Sequence, residues 1–290
     1  MTQPGADLEP LRVVAAQVLD ALRGERLLLW SNPGNAGDAL IRVATDQAFA
    51  RAGLEGEQVR PDGEVAGRTV LIIGGGNLVP LYGEADRAFV DLRRSGAERI
   101  IVLPHTIRGE PTCLAVAGKE DVIGCRDAPS EEVVRASGTA AATFLGHDMA
   151  FHLDAASFLA DPGLARIAEP ALAAATRAAG VENVAKQDVA VLTRTDIERG
   201  PDAPPSDADI SALFAFGGGR LATAISAWCF LTYIDRCRSI VTDRLHVAIG
   251  SSLVGTPCVL LPNSYDKNAA VYEHSLRTFP NVSFATQWPR

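Results

Sequence analysis

Asp243, Arg244 and His246 follow directly on the β-branched run Ile240, Val241, Thr242. A second polar cluster, Asn263, Ser264, Tyr265, Lys267 and Asn268, follows the apolar run Cys258 to Leu261. An imidazole in the first position can act as a proton donor while the neighbouring guanidinium holds an acidic substrate. Between the clusters lies an apolar segment with small residues, closed by Gly255, Thr256 and Pro257. The stretch from Ser239 to Asn268 therefore reads as strand, polar turn, helix, strand, polar turn. Consecutive strands in such a unit run parallel, which brings both turns to the carboxyl edge of one sheet, where open α/β folds hold ligands. A histidine at a helix start can also do no more than bond a backbone group; the company of Arg244 and Asp243 turns the balance toward chemistry.

Arginine recurs at strand ends. Arg126 and Arg194 each stand just past an apolar run, as Arg244 does, and guanidinium forks suit carboxylate and phosphate. Each has the alternative of an exposed or internally paired charge. Together with His246 they suit a small, highly charged substrate that carries carboxylate and phosphate. Two glycine-rich turns follow strands: PGNAGD, with Asn35, Gly37 and Asp38, and GGGN, with Gly75, Gly76 and Asn77. They offer backbone N–H groups to an anion, or are simply tight turns. Neither has the glycine spacing of a dinucleotide site or the GK[ST] of a phosphate-binding loop. His105, after a strand-ending Leu-Pro, reads as a cleft residue. His147, Asp148 and His152 lack the spacing and completing ligands of a metal site and read as structural, so no metal is expected. His274 reads as a surface position. There is no GxSxG, and no carboxylate pair is set out for glycoside chemistry.

These residues need strands to carry them. Arg26–Trp30, Thr69–Ile73, Ile100–Leu103, Asp121–Gly124, Ala142–Leu145 and Asp188–Thr193 read as further strands, each ending in a polar turn. Helical spacing appears at Leu8–Leu22, from about Asp38 to Arg51, at Glu84–Ser95, Ser130–Ala136 and Arg220–Arg236. Asp38 or the residue before it would cap the second of these. The alanine-rich Asp161–Gly180 segment reads as a linker helix or helix pair. The alternation predicts an α/β protein with two Rossmann-like domains, residues 1–165 and 166–290, whose parallel sheets face one another across a cleft. A 290-residue chain that is 47% hydrophobic supports that much core. A formal charge of -8 and a pI near 5.2 argue against a nucleic-acid surface. Of 27 basic residues only Lys119, Lys186 and Lys267 are lysines. Five cysteines without a CxxC read as reduced, buried thiols, the start carries no secretion signal, and no apolar tract reaches membrane-spanning length. A cytoplasmic location is expected.

Several motifs, in order along nearly the whole chain, carry a resemblance: NPGNAGDALI (32–41), LIIGGGNLVPLYG (71–83), IVLPHTI (101–107), CRDAPS (125–130), GHDMAFHL (146–153), TRTDIE (193–198), and VTDRLH (241–246) followed by LLPNSYDKN (260–268). Taken together they resemble the polysaccharide pyruvyl transferases, in particular the bacterial exopolysaccharide members. The resemblance implies a fold like that of the GT-B glycosyltransferases. It implies phosphoenolpyruvate as donor, with no further cofactor, and a sugar diol as acceptor. The products would be a pyruvate ketal and phosphate, in exopolysaccharide or cell-surface glycan biosynthesis. It also implies that Arg126, Arg244 and His246 hold the donor, with His246 as general acid. On this reading Arg194, Asn263, Ser264, Tyr265, Lys267 and Asn268 complete the donor side. Asn35, Gly37, Asp38, Gly75, Gly76, Asn77, His105 and Asp148 line the cleft and acceptor side. The acceptor is either a lipid-linked saccharide, which would bring the protein transiently to a membrane surface, or a small metabolite. The family often has Gln where His105 stands and commonly Gly where Val247 stands. Two rival readings are a nucleotide-sugar glycosyltransferase on the same fold and a non-catalytic glycan- or anion-binding relative.

Overall fold

The computed structural model describes residues 7–32, 34–60 and 63–288. Residues 1–6, on which the reading of no secretion signal rests, and Pro33 of the PGNAGD turn lie outside the described residues. The chain is α/β and divides into two compact units. One holds Leu8–Asn32 and Ala44–His152; the other holds the remaining described residues. The sequence reading ended the first domain at residue 165 and included the turn at 34–38 in it. Contacts instead group 34–43 with the C-terminal unit and end the N-terminal one at His152.

In the N-terminal unit α1 (Glu9–Asp20) precedes β1 (Leu27–Trp30), and α2 (Ala36–Ala52) enters it at Ala44. Then come β2 (Gly56–Gln58), β3 (Thr69–Ile72), β4 (Gly75–Leu78), α3 (Glu84–Arg94), β5 (Arg99–Ile107) and α4 (Thr112–Val116). They are followed by β6 (Val122–Cys125), α5 (Ala128–Ala136), β7 (Ala142–Leu145) and a 3-10 turn at Met149–His152. The strands form one parallel sheet in the order β2-β1-β3-β5-β6-β7, and β4 pairs with the far end of β5. Central strands are apolar where helices cover both faces, as β1 is throughout and β5 is over Ile100–Leu103. Amphipathic α3 supplies Ala85, Ala88, Phe89 and Leu92 to that cover. Pro104 interrupts β5: it has no N–H for the ladder, and pairing with β6 shifts register between Val102 and His105.

The C-terminal unit contains α6 (Ala155–Leu159), α7 (Pro162–Ala179), a 3-10 turn at Val184–Lys186, β8 (Ala190–Val191), α8 (Ile210–Leu213) and α9 (Arg220–Arg236). They are followed by β9 (Ile240–Thr242), α10 (Leu245–Val254), β10 (Cys258–Leu260) and α11 (Lys267–Val271). The chain runs on through a π-helical turn at Tyr272–Leu276 to β11 (Val282–Phe284). Its parallel sheet has the order β11-β10-β9-β8. Helix α9 is buried continuously from Ser226 to Ile234. It packs against α10 so closely that a Cβ on Gly250 would lie 2.8 Å from Ile234 Cδ1. The alanine-rich segment forms the single helix α7, not a linker. Asp161 caps it through the N–H groups of Gly163 and Leu164, Gly180 ends it at φ 69°, and Ala168, Leu172 and Thr176 form its buried stripe. All five cysteines are free and buried. Among the described residues no helix is long and apolar enough to cross a membrane.

Candidate functional site

In the C-terminal unit, β9 delivers Asp243 and Arg244 to its carboxyl end and α10 begins at once. Arg244 is the N-cap residue, its backbone N–H donates to Thr242 Oγ1 at 2.9 Å, and no side chain caps the helix. His246, half-buried, is the second residue of α10. The first N–H groups of the helix and its dipole thus point where Arg244 and His246 begin. Gly37 lies flush against the imidazole: a Cβ there would stand 2.4 Å from His246 Nδ1. The loop that brings Gly37 there braces itself. Asn35 Oδ1 accepts from Gly37 N at 2.8 Å, and Asp38 Oδ2 accepts from Asn35 N at 2.9 Å. Asn35, not Asp38, is therefore the residue that caps the start of α2.

The strand-end arginines are ion-paired in place, which is the alternative the sequence reading left open for each. Arg244 presents its Nε and Nη2 fork to Asp209 and its Nη1 to Asp196 Oδ2 at 3.0 Å. Arg194, past the end of β8, forks onto Asp196 at 2.7 and 3.1 Å and also pairs with Glu198. Glu198 in turn accepts from Lys267 Nζ at 2.6 Å and from Tyr265 Oη at 2.9 Å. Three cations, Arg194, Arg244 and Lys267, are therefore ion-paired with three carboxylates, Asp196, Glu198 and Asp209. Burial acts to raise the pKa of Asp196 and of Glu198, and their cationic partners outweigh it, so both are lowered. Asp243 is raised by burial, although it accepts from the backbone N–H of Arg194 at 2.7 Å and of Gly200 at 3.1 Å.

The second polar turn is mostly framework. Asn268 donates from Nδ2 to the carbonyls of Asp243 (2.7 Å) and Leu261 (2.9 Å) and takes its own N–H to Asn263 Oδ1. Ser264 is exposed, and its backbone N–H donates to the Glu198 carbonyl. The Asn263 amide nitrogen is buried with no partner among the described residues.

In the N-terminal unit, Arg126 is 1% exposed. It donates to Asp148 Oδ2 at 2.5 Å and to Thr106 Oγ1 at 2.8 Å, so it knits the ends of β5 and β6 to the segment after β7. Gly75, Gly76 and Asn77 are not a free turn. They form β4, which continues the line of β3 along β5. Asn77 meets His105 Nε2 at 3.1 Å, and His105 Nδ1 lies 3.0 Å from the Leu103 carbonyl. Burial holds the His105 pKa down to about 4. A neutral ring that donates from Nδ1 accepts at Nε2, so Asn77 must turn its amide N–H₂ toward it. His152 is also buried and its pKa is lowered by burial to about 3, with Arg51 donating to its carbonyl at 2.7 Å. His274 is half-buried in the π-helical turn, not on the open surface. Among the described residues no group of three or more His, Cys, Asp or Glu is arranged to hold a metal ion.

Sequence reasoning missed Asp209 and Glu198, the two buried carboxylates that orient the arginines. The available signal was weak: Asp209 precedes a short helix that it caps, and Glu198 ends the TRTDIE motif.

Residues 35–265 match the family model described as polysaccharide pyruvyl transferase. Among solved structures, the chain is similar to a functionally uncharacterized protein from Klebsiella pneumoniae subsp. pneumoniae NTUH-K2044. Identity is 27%, the TM-score is 0.74, and 95% of this chain and 98% of that one are covered. No curated protein matches.

Proposed function

The chain belongs to the polysaccharide pyruvyl transferase family and is therefore a transferase, and from that premise we propose that it moves the pyruvate unit of phosphoenolpyruvate onto a sugar diol, forming a ketal and releasing phosphate. One observation carries the reading: Arg244 and His246 stand together at a helix N-terminus that no side chain caps, with Gly37 seated against the imidazole. His246 gives a proton to the methylene carbon of the donor, which becomes a methyl group and leaves the adjacent carbon open to a hydroxyl. The second hydroxyl of the diol then displaces phosphate. One hydroxyl proton restores His246 and the other leaves with the phosphate. The α10 N-terminus and Arg244 favour the negative charge that builds on the leaving group.

Arg126 is assigned to positioning, since it is buried against Asp148 and Thr106. His105, Asn77 and Asp148 are proposed for the acceptor side through the strand ends they brace. A GT-B-like fold is part of the same proposal, supported by two α/β units that each carry a parallel sheet. The test is phosphate release from phosphoenolpyruvate with a panel of diol saccharides, free and lipid-linked, with products weighed by mass spectrometry. Turnover that His246→Ala abolishes is expected. Absence of both donor binding and phosphate release, or calorimetric binding of a nucleoside diphosphate sugar instead, would overturn the reading.

A further inference from the structure

We infer that the carboxylate of Asp196 is an internal stand-in for a substrate anion: it fills the position between Arg194 and Arg244 that a small carboxylate or phosphate takes on binding, and it gives way when the ligand enters. The inference rests on the donor reading above only for which anion arrives.

The two arginines leave adjacent parallel strands, β8 and β9, which pair at Val191 and Val241. Asp196 takes three guanidinium contacts across that pair: Nε and Nη2 of Arg194 at 2.7 and 3.1 Å, and Nη1 of Arg244 at 3.0 Å. A fork from one arginine and an end-on contact from another is how a free carboxylate or phosphate is held. Burial separates this carboxylate from the others on the same cations. Side chains of Arg194, Arg244, Glu198 and Asp209 are 2 to 6% exposed, whereas that of Asp196 is 37% exposed. Glu198 is further fixed by Lys267 and Tyr265, and Asp209 by the N–H and hydroxyl of Thr195. Only Asp196 can therefore exchange with an anion from solution without opening the core. It belongs to an exposed turn, Thr195 to Ile197, where its one other side-chain bond accepts from Glu198 N at 3.1 Å. Removal of this carboxylate leaves the arginines oriented and short of one negative partner.

Inorganic phosphate is titrated calorimetrically into the wild type and into Asp196→Asn, whose amide oxygen still accepts from Glu198 N. Phosphate is expected to bind about tenfold tighter to the variant. Equal or weaker binding overturns the inference. Asp196→Ser keeps the turn through its hydroxyl and repeats the test should the asparagine variant fold poorly. Asp209→Asn removes equal charge but frees the Arg244 fork, so weaker binding is expected; a comparable gain there would make the effect mere charge removal and also sink the idea. Turnover of phosphoenolpyruvate by the wild type is scored separately. Tighter phosphate binding without turnover keeps the anion site and defeats the donor reading, while turnover with no gain in either Asp196 variant does the reverse.

Discussion

Gly37→Ala tests whether the His246 ring is set by its contact with the α2 entry loop. The added Cβ would stand 2.4 Å from Nδ1, 2.8 Å from Cγ and 2.9 Å from Cβ of His246, about 1 Å inside ordinary contact. No far end of a flexible chain is involved, so the ring or the loop must move. Overpacking of this kind costs about 1–3 kcal/mol. Against it, Gly37 has an ordinary helical backbone inside α2, where alanine is better than glycine by about 0.5–1 kcal/mol. The net loss is then about 0–2.5 kcal/mol, at the upper end a fall in melting temperature of several degrees. Displacement of the ring by ~1 Å should also cost on the order of a hundredfold in turnover. The decisive measurement is a double-mutant cycle with His246→Ala, read by denaturant melts. With the ring gone the contacts at 2.4 and 2.8 Å disappear and only the 2.9 Å approach to the residue-246 Cβ remains, so the Gly37→Ala penalty should shrink clearly in that background. A Gly37→Ala penalty that persists undiminished in the His246→Ala background would refute the contact.

Arg126→Met takes the guanidinium away from the buried Asp148 carboxylate, and a loss of about 3–5 kcal/mol in stability is expected in chemical denaturation; a variant of full stability that has lost only donor affinity would mean that Arg126 serves the ligand and not the fold. Arg244→Lys keeps the charge but cannot span Asp209 and Asp196 together, so phosphate release should fall by about tenfold or more; unchanged kinetics would show that the fork is dispensable. Both buried histidines bear on acid stability. The folded pKa values of His105 and His152 are depressed to about 4 and about 3, so near neutral pH both states are unprotonated and the full contribution is present. Below about 6.5 the unfolded chain takes up protons that the folded one refuses. Stability should therefore fall with pH, by about 2 kcal/mol for each histidine by pH 5, and His105→Gln should remove roughly half of that slope; a flat profile between pH 7.5 and 5 would contradict the buried, neutral assignment.

Much of the architecture was legible because parallel strands covered on both faces are apolar without interruption, as Leu27–Trp30 and Ile100–Leu103 are. The polar turn at each carboxyl end was legible for the same reason: the apolar run stops there. β4 was not, since Gly75, Gly76 and Asn77 carry no strand signature and pair only because β5 runs on past Pro104. The linker reading of α7 failed because alanine gives little periodic contrast, although Ala168, Leu172 and Thr176 do share one face. Arg244 and His246 could be picked out by type and position. Their partners could not: Asp209 is 35 residues from Arg244, and Gly37 reaches His246 from far up the chain, with no periodicity to announce either contact. The pairing of these carboxylates with the arginines was equally hidden, because charge balance in space is not charge balance along a sequence.

The Asn268 amide donates at once to the carbonyls of Asp243 and Leu261, one from the end of each neighbouring strand. Mechanically this is a crossbar. It ties the Arg244 turn to the Tyr265 turn, so that neither can tilt without carrying the other. A spectroscopic reporter placed at exposed Ser264 would then register any displacement that a ligand imposes on Arg244.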